Sequence, residues 1–221
     1  MEAIVFDFDG LILDTESCDL QAWQEIFAAY GGELDFDEWA EWLGVAAADC
    51  DLHNVLARQI GQTLDRDVVR AAFRQRYYAL VREQPLAEGV VDYLDDAERL
   101  GLRIGLASSG TRDWAEGHLR RFELYHRFHA SRCAGEVPQT KPAPDLYEAV
   151  LRDLGTPPER AIALEDSPNG VHAAKTAGLF TVAVPNAVAT GLNFDGVDLR
   201  LNRLTDLSLK TLLDRAAQAR Q

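Results

Sequence analysis

Short apolar runs that end abruptly in polar residues recur along this chain. Ile4-Val5-Phe6 runs into Asp7-Phe8-Asp9-Gly10, and residues 102–107 run into Ser108-Ser109-Gly110. Ala161-Ile162-Ala163-Leu164 runs into Glu165-Asp166-Ser167. Their length and apolar, partly β-branched character predict buried strands. Residues 128–134 predict a weaker strand and residues 180–184 another. Between these runs the apolar positions recur every three or four residues. Tyr93, Leu94, Ala97 and Leu100 form one such face. Trp114, His118, Leu119 and Phe122 form a second, and Leu146, Tyr147, Val150, Leu151 and Leu154 a third. A helix also follows Pro168-Asn169-Gly170, closed by Gly178, and residues 207–217 make a terminal one. Such spacing is that of amphipathic helices. Strands alternating with helices predict a parallel sheet with right-handed crossovers.

The stretch after the first strand has a different pattern. Asp14-Thr15 offers an N-cap, and Leu20, Trp23, Ile26, Phe27 and Tyr30 then follow at helical spacing until Gly31-Gly32. Residues 39–43, 52–60 and 67–81 continue as helical pieces, with no convincing strand among them. The expected architecture is therefore α/β: a Rossmann-like parallel sheet core, residues 1–14 and 85–221, with an inserted all-helical cap domain, residues 15–84. Its two connections, near Asp14-Thr15 and Gln84-Pro85, predict a hinge pair.

Charge narrows the partners. The 221 residues carry a net charge of −14, which argues against nucleic acid or an anionic membrane surface. A small anionic substrate is compatible with it, because a metal and a few cations can reverse the sign inside a cleft. Cys18, Cys50 and Cys133 are scattered, form no CxxC, and fit a reducing cytoplasm. No signal-peptide pattern and no run long enough to span a bilayer is visible.

Candidate chemistry gathers where the predicted strands end. In open α/β sheets ligands sit at the carboxyl ends of the strands. Asp7 and Asp9 stand two residues apart, on one face of a strand, before Gly10 turns the backbone. Read alone, this fragment also fits an ordinary strand-to-loop turn with two solvated acids. Strand two ends in Ser108, the loop after strand three carries Lys141, and strand four ends in Glu165-Asp166. Four carboxylates at one rim call for a divalent cation, and oxygen ligands favour magnesium or calcium. Ser108, Ser109 and Lys141 suit a phosphate, through hydroxyls, an ammonium and a helix N-terminus expected at Ser108-Ser109-Gly110. A carboxylate nucleophile beside a second carboxylate is one route to phosphoryl transfer through an aspartyl-phosphate.

These segments, Asp7-Phe8-Asp9-Gly10 with Asp14-Thr15, Leu106-Ala107-Ser108-Ser109, Lys141-Pro142-Ala143-Pro144-Asp145 and Leu164 to Gly170, resemble the four ordered motifs of the haloacid dehalogenase superfamily. The likeness is to the branch with a helical cap that holds sugar-phosphate phosphatases and β-phosphoglucomutase-like enzymes. It implies Asp7 as nucleophile and Mg2+ ligand, and Asp9 as acid/base with its carbonyl on the metal. It further implies Ser108 and Lys141 on the phosphoryl group, and Asp166 on Mg2+ with Glu165 beside it, as a ligand or one shell out. Asp9 speaks for phosphoryl transfer rather than carbon–halogen cleavage, since dehalogenases of the superfamily lack this second acid.

The expectation is a cytoplasmic, magnesium-dependent phosphatase acting on a small phosphorylated metabolite, such as a sugar phosphate. The rivals are a β-phosphoglucomutase-type isomerase and a non-catalytic phosphoester-binding protein. The mutases of the family carry a histidine four residues past the Asp-Thr pair and an arginine after a Gly-Val in the cap. Here those positions are Asp19 and the alanines after Gly44-Val45. Arg112 is a possible substrate contact, Asn169 either orients the metal shell or only starts a helix, and the four tryptophans read as packing. Arg58, Arg66, Arg70, Arg74 and Arg76 read chiefly as a solvated helix face.

Overall fold

The computed structural model describes residues 1–40 and 51–220. Trp42, the Gly44-Val45 loop with its alanines, and Cys50 lie outside the described residues. The chain divides into two compact units, Met1–Asp14 with Leu86–Gln221, and Thr15–Pro85.

The first unit is built on a six-stranded, all-parallel sheet. Its strands are β1 (Ala3–Phe6), β2 (Arg103–Thr111), β3 (Ala130–Ala134), β4 (Ala161–Glu165), β5 (Phe180–Ala183) and β6 (Leu199–Arg200). They lie in the order β3-β2-β1-β4-β5-β6. The order reverses between β1 and β4, and a crevice opens at the strand ends of such a reversal. Phe6 is level with Leu164 across that pair, so Asp7 and Glu165 stand side by side at the ends of β1 and β4. All four β1 residues and Ala161 to Leu164 are fully buried. That explains why these strands are unbroken apolar runs rather than alternating ones.

On one face Leu146, Tyr147, Val150 and Leu154 pack with Val5, Ala107, Ala163 and Ala174. They bring α7 (Asp145–Leu154) and α8 (Pro168–Thr176) onto the sheet. The same unit holds α5 (Val90–Arg99), α6 (Arg112–Arg121) and α9 (Leu209–Gln218). Tyr93 of α5 donates to the Leu207 carbonyl at 2.6 Å, fixing α5 to the segment that opens α9.

Three details differ from expectation. Leu100 follows the last turn of α5 and is exposed instead of facing the core. Strand β2 does not stop at Ala107. It continues through Ser108 to Thr111 with a register shift against β3, and Thr111, not Ser108, caps α6. The anion-binding helix end expected at Ser108-Ser109-Gly110 therefore lies further on. Strand β6, only two residues long, has no periodic signature.

The second unit comprises α1 (Thr15–Ala29), α2 (Phe36–Ala40), α3 (Leu52–Ile60) and α4 (Arg66–Glu83) among the described residues. Trp23 stacks on Phe73 at 4.4 Å between ring centres, joining α1 to α4. Arg76 grips Glu25 through two nitrogens, one of them at 2.8 Å, a partly exposed pair between α4 and α1. Trp39 donates its indole N–H to Asp19 at 2.8 Å, tying α2 to α1. Among the described residues no helix is long and apolar enough to cross a membrane. Cys18 and Cys133 are buried, and neither is in a disulfide.

Candidate active site

The site grows from the end of β1. The Asp7 N–H still donates to the Leu164 carbonyl at 3.0 Å, so Asp7 is held as firmly as a strand residue. The chain then folds back on itself: the Ile12 N–H donates to the Phe8 carbonyl at 2.9 Å and the Gly10 N–H to the Leu13 carbonyl at 2.8 Å. Gly10 sits at φ +80°, and a Cβ there would fall 1.9 Å from Asp166 Oδ2. Only glycine lets the β1 turn come this close to the end of β4.

Asp7, Glu165 and Asp166 are all buried, and each offers an oxygen within 4.8 Å of the others. Lys141 completes the cluster. Its ammonium donates to Asp7 Oδ1 and pairs with Glu165 Oε1 at 2.6 Å, with 6% of its side chain exposed. Burial pushes the Asp7 carboxyl above the usual range; Lys141 opposes this and the neighbouring Asp9 adds to it. Glu165 is raised by the same burial, again opposed by Lys141 and reinforced by Asp7. Burial would lower Lys141, but the two carboxylates outweigh it and hold the ammonium above its ordinary value. Three carboxylates and one ammonium leave two negative charges uncompensated. A hard, all-oxygen donor set with that charge suits a divalent cation.

Glu165 is the most enclosed member. Tyr147 donates its hydroxyl to Oε1 at 2.5 Å, and Ser167 donates to Oε2 at 3.3 Å. A Cβ on Gly170 would lie 1.8 Å from Oε2, so the first turn of α8 closes directly over this carboxylate. Ser167 also caps α8 by accepting from the Gly170 N–H at 3.1 Å.

Asp9 stands at the rim, half-buried. The Trp114 indole N–H donates to Oδ1 at 2.8 Å, and the Ser108 hydroxyl reaches Oδ2 at 3.4 Å. Ser108 in turn accepts from the Gly110 N–H at 2.9 Å, within the irregular end of β2. Ser109, the next residue, is exposed at the same strand end.

The structure thus brings Asp7, Lys141, Glu165 and Asp166 into one cluster, and sets Asp9 and Ser108 together beside it. Three further side chains join them. Trp114 is not mere packing, Tyr147 is more than a core residue of α7, and the amide that reaches Asp166 is that of Asn186, at 2.9 Å. Asn169 lies in the first turn of α8. Arg112 is occupied elsewhere: it binds Glu116 and both oxygens of Glu136, and donates to the Ser131 carbonyl at 3.1 Å.

Known proteins resemble this chain over most of its length. The profile of the haloacid dehalogenase-like hydrolases matches residues 1–178. YhcW of Bacillus subtilis (strain 168) is 39% identical over 97% of this chain and 97% of its own. Hexitol phosphatase B of Escherichia coli (strain K12) is 33% identical over 96% of each. The crystal structure of CbbY from Rhodobacter sphaeroides in complex with phosphate superposes with a TM-score of 0.76. It is 33% identical and covers 97% of this chain and 99% of that one. Family profile, relatives and structural superposition agree: the chain belongs to the haloacid dehalogenase-like hydrolases and is a phosphatase among them.

Proposed function

We propose that this phosphatase hydrolyses a small phosphorylated metabolite, of the sugar-phosphate class, through an aspartyl-phosphate on Asp7 and with Mg2+ as cofactor. The observation that carries the reading is the buried cluster at the β1/β4 reversal, where Asp7, Glu165 and Asp166 meet Lys141. One relative, named a hexitol phosphatase, favours the substrate class.

In this reading Asp7 Oδ1 or Oδ2 attacks phosphorus, and the ester oxygen leaves with a proton from Asp9. Asp9 then takes a proton from the water that cleaves the acyl-phosphate. Trp114 holds the Asp9 carboxylate for both steps, while the Ser108 hydroxyl exchanges its long bond to Asp9 for one to a phosphoryl oxygen. Lys141 and Ser108 take the phosphoryl oxygens, with Ser109 available at the open end of β2. Asp7, Asp166 and the Asp9 carbonyl would hold the ion, which supplies charge neutralisation when bound. Both Glu165 oxygens already accept hydrogen bonds, so Glu165 suits the task of anchoring Lys141 better than direct ligation.

Hydrolysis is favoured over phosphoryl return to a sugar by Asp19. It stands where the mutases of the family carry histidine, and here it accepts from Trp39 within the helical unit.

The test is phosphate release from a panel of phosphorylated sugars, sugar alcohols, nucleotides and short acids, with magnesium and then with chelator. Release should require magnesium and concentrate in the sugar and sugar-alcohol phosphates. Undiminished release in chelator would overturn the metal dependence. Conversion of β-glucose 1-phosphate to glucose 6-phosphate much faster than phosphate release would overturn the hydrolytic reading.

A further inference from the structure

Asn186 lies just past β5, in a loop whose origin is tied to the site. The Val184 N–H donates to the Glu165 carbonyl at 2.6 Å, extending the β4–β5 ladder to the residue before Asp166. Two residues later the Asn186 side chain turns inward. Its Oδ1 accepts from the Val188 N–H at 3.1 Å and the Ala189 N–H at 2.9 Å, and its own carbonyl accepts from Thr190 Oγ1 at 3.0 Å. With two N–H groups on Oδ1, the amide cannot be turned round. Reversal would set donors against donors and Oδ1 against a carboxylate. Nδ2 therefore points at Asp166 Oδ2, 2.9 Å away. Gly10 closes the other side: a Cβ there would lie 1.9 Å from Asp166 Oδ2 and 2.7 Å from Asn186 Nδ2. Asp166 is thus held between the β1 turn and a fixed amide.

We infer that Asn186 is a positioning residue that orients the Asp166 carboxylate for the divalent cation. The inference rests on the magnesium-dependent reading above. The chemistry of the donor explains why an amide serves. Lys141 already compensates one carboxylate of the cluster, and a second ammonium on Asp166 would remove charge that the cation needs. A neutral N–H fixes the carboxylate plane while leaving its charge. A rigid partner in the next shell of this kind is worth roughly 10–100-fold in metal affinity.

The test compares wild type with Asn186→Ser and Asn186→Ala in the full chain. Serine at this position can still accept from the Val188 and Ala189 N–H groups, as hydroxyls do in turns, but is too short to reach Asp166. Affinity is measured by calorimetric titration with MgCl2 alone, and separately as the magnesium concentration giving half-maximal phosphate release. Both variants should bind magnesium about 10–100-fold more weakly. kcat at saturating magnesium should stay near wild type, and Asn186→Ser should melt near the wild-type temperature. Wild-type magnesium affinity in Asn186→Ser would overturn the inference, as would a loss confined to kcat. A wild-type protein that binds no magnesium and turns over in chelator would instead bring down the proposed function and this inference with it.

Discussion

The two compact units place their ion pairs differently. In the sheet unit Asp7, Glu165, Asp166 and Lys141 are taken out of water together, and burial pushes two of the carboxyls up. Arranging like charges in this way destabilises the fold, and such perturbation marks functional sites. In the helical unit Arg76 and Glu25 are each 41% exposed, a pair of the kind that contributes little. Stability there comes from apolar contact, such as Trp23 on Phe73 and the buried Phe27 and Leu56. The lesson is that one unit is organised around a charged cluster at a cost to its stability, and the other around packing. Substitutions should separate accordingly: in the cluster they should trade activity against stability, and in the helical unit they should act on stability.

The largest effect is expected from Asp7→Asn. An amide is a poor nucleophile, so phosphate release should fall by at least about a thousandfold. The fold should survive, because the change removes a carboxylate whose burial is unfavourable and leaves Lys141 its Glu165 partner. Without metal the variant should melt no lower than wild type. Retained activity, or unfolding of the variant, would break the contrast between the units.

Tyr147→Phe should have an intermediate effect. It deletes the hydroxyl that Glu165 accepts while keeping the ring against the core, and the loss should be about 1–3 kcal/mol in chemical denaturation. Activity should drop by roughly tenfold, because Glu165 then anchors Lys141 less firmly. A loss of stability with unchanged kcat/KM would place Tyr147 with the packing instead of the site.

The smallest effect should come from Asp19→Asn, in the helical unit. Burial raises the Asp19 carboxyl from 3.8 to about 6, against the stabilising bond from Trp39. A carboxyl raised on folding favours the folded state when protonated. Its cost is absent below the unfolded value, grows as pH rises from there towards the folded one, and is complete above it. Asn keeps an acceptor for Trp39 and removes that cost. The variant should match wild type near pH 3.5–4 and exceed it by about 1–2 kcal/mol above pH 7, allowing for partial solvent screening. A stability difference that does not change with pH would contradict this account.

Much of the site was legible because its members sit where apolar runs stop. Asp7, Glu165 and Asp166 stand within one or two residues of the last apolar position of a buried strand and Asp9 within three, and Lys141-Pro142 stands out in a loop. What escaped were contacts between distant segments. Trp114 lies 105 residues from Asp9 and Asn186 lies 20 from Asp166, and neither pairing leaves a local period. Tyr147 falls on the apolar face of α7, so its ring concealed the role of its hydroxyl. The polar end of β2 read as a helix start because small polar residues mark caps as readily as irregular strand ends. Arg112 looked available to a substrate because its partners Glu116, Ser131 and Glu136 come from α6, β3 and the following loop. Fold class was plainer, since strand–helix alternation alone implies a parallel sheet.

The most direct measurement is to locate the phosphoryl group on the enzyme during turnover. Acid quench of the protein with labelled phosphomonoester and magnesium, followed by peptide mapping, should find label on Asp7 as a hydroxylamine-sensitive acyl-phosphate. Asp7→Asn should carry none. Label on Asp9 or on Ser108, or turnover by Asp7→Asn near the wild-type rate, would contradict the account.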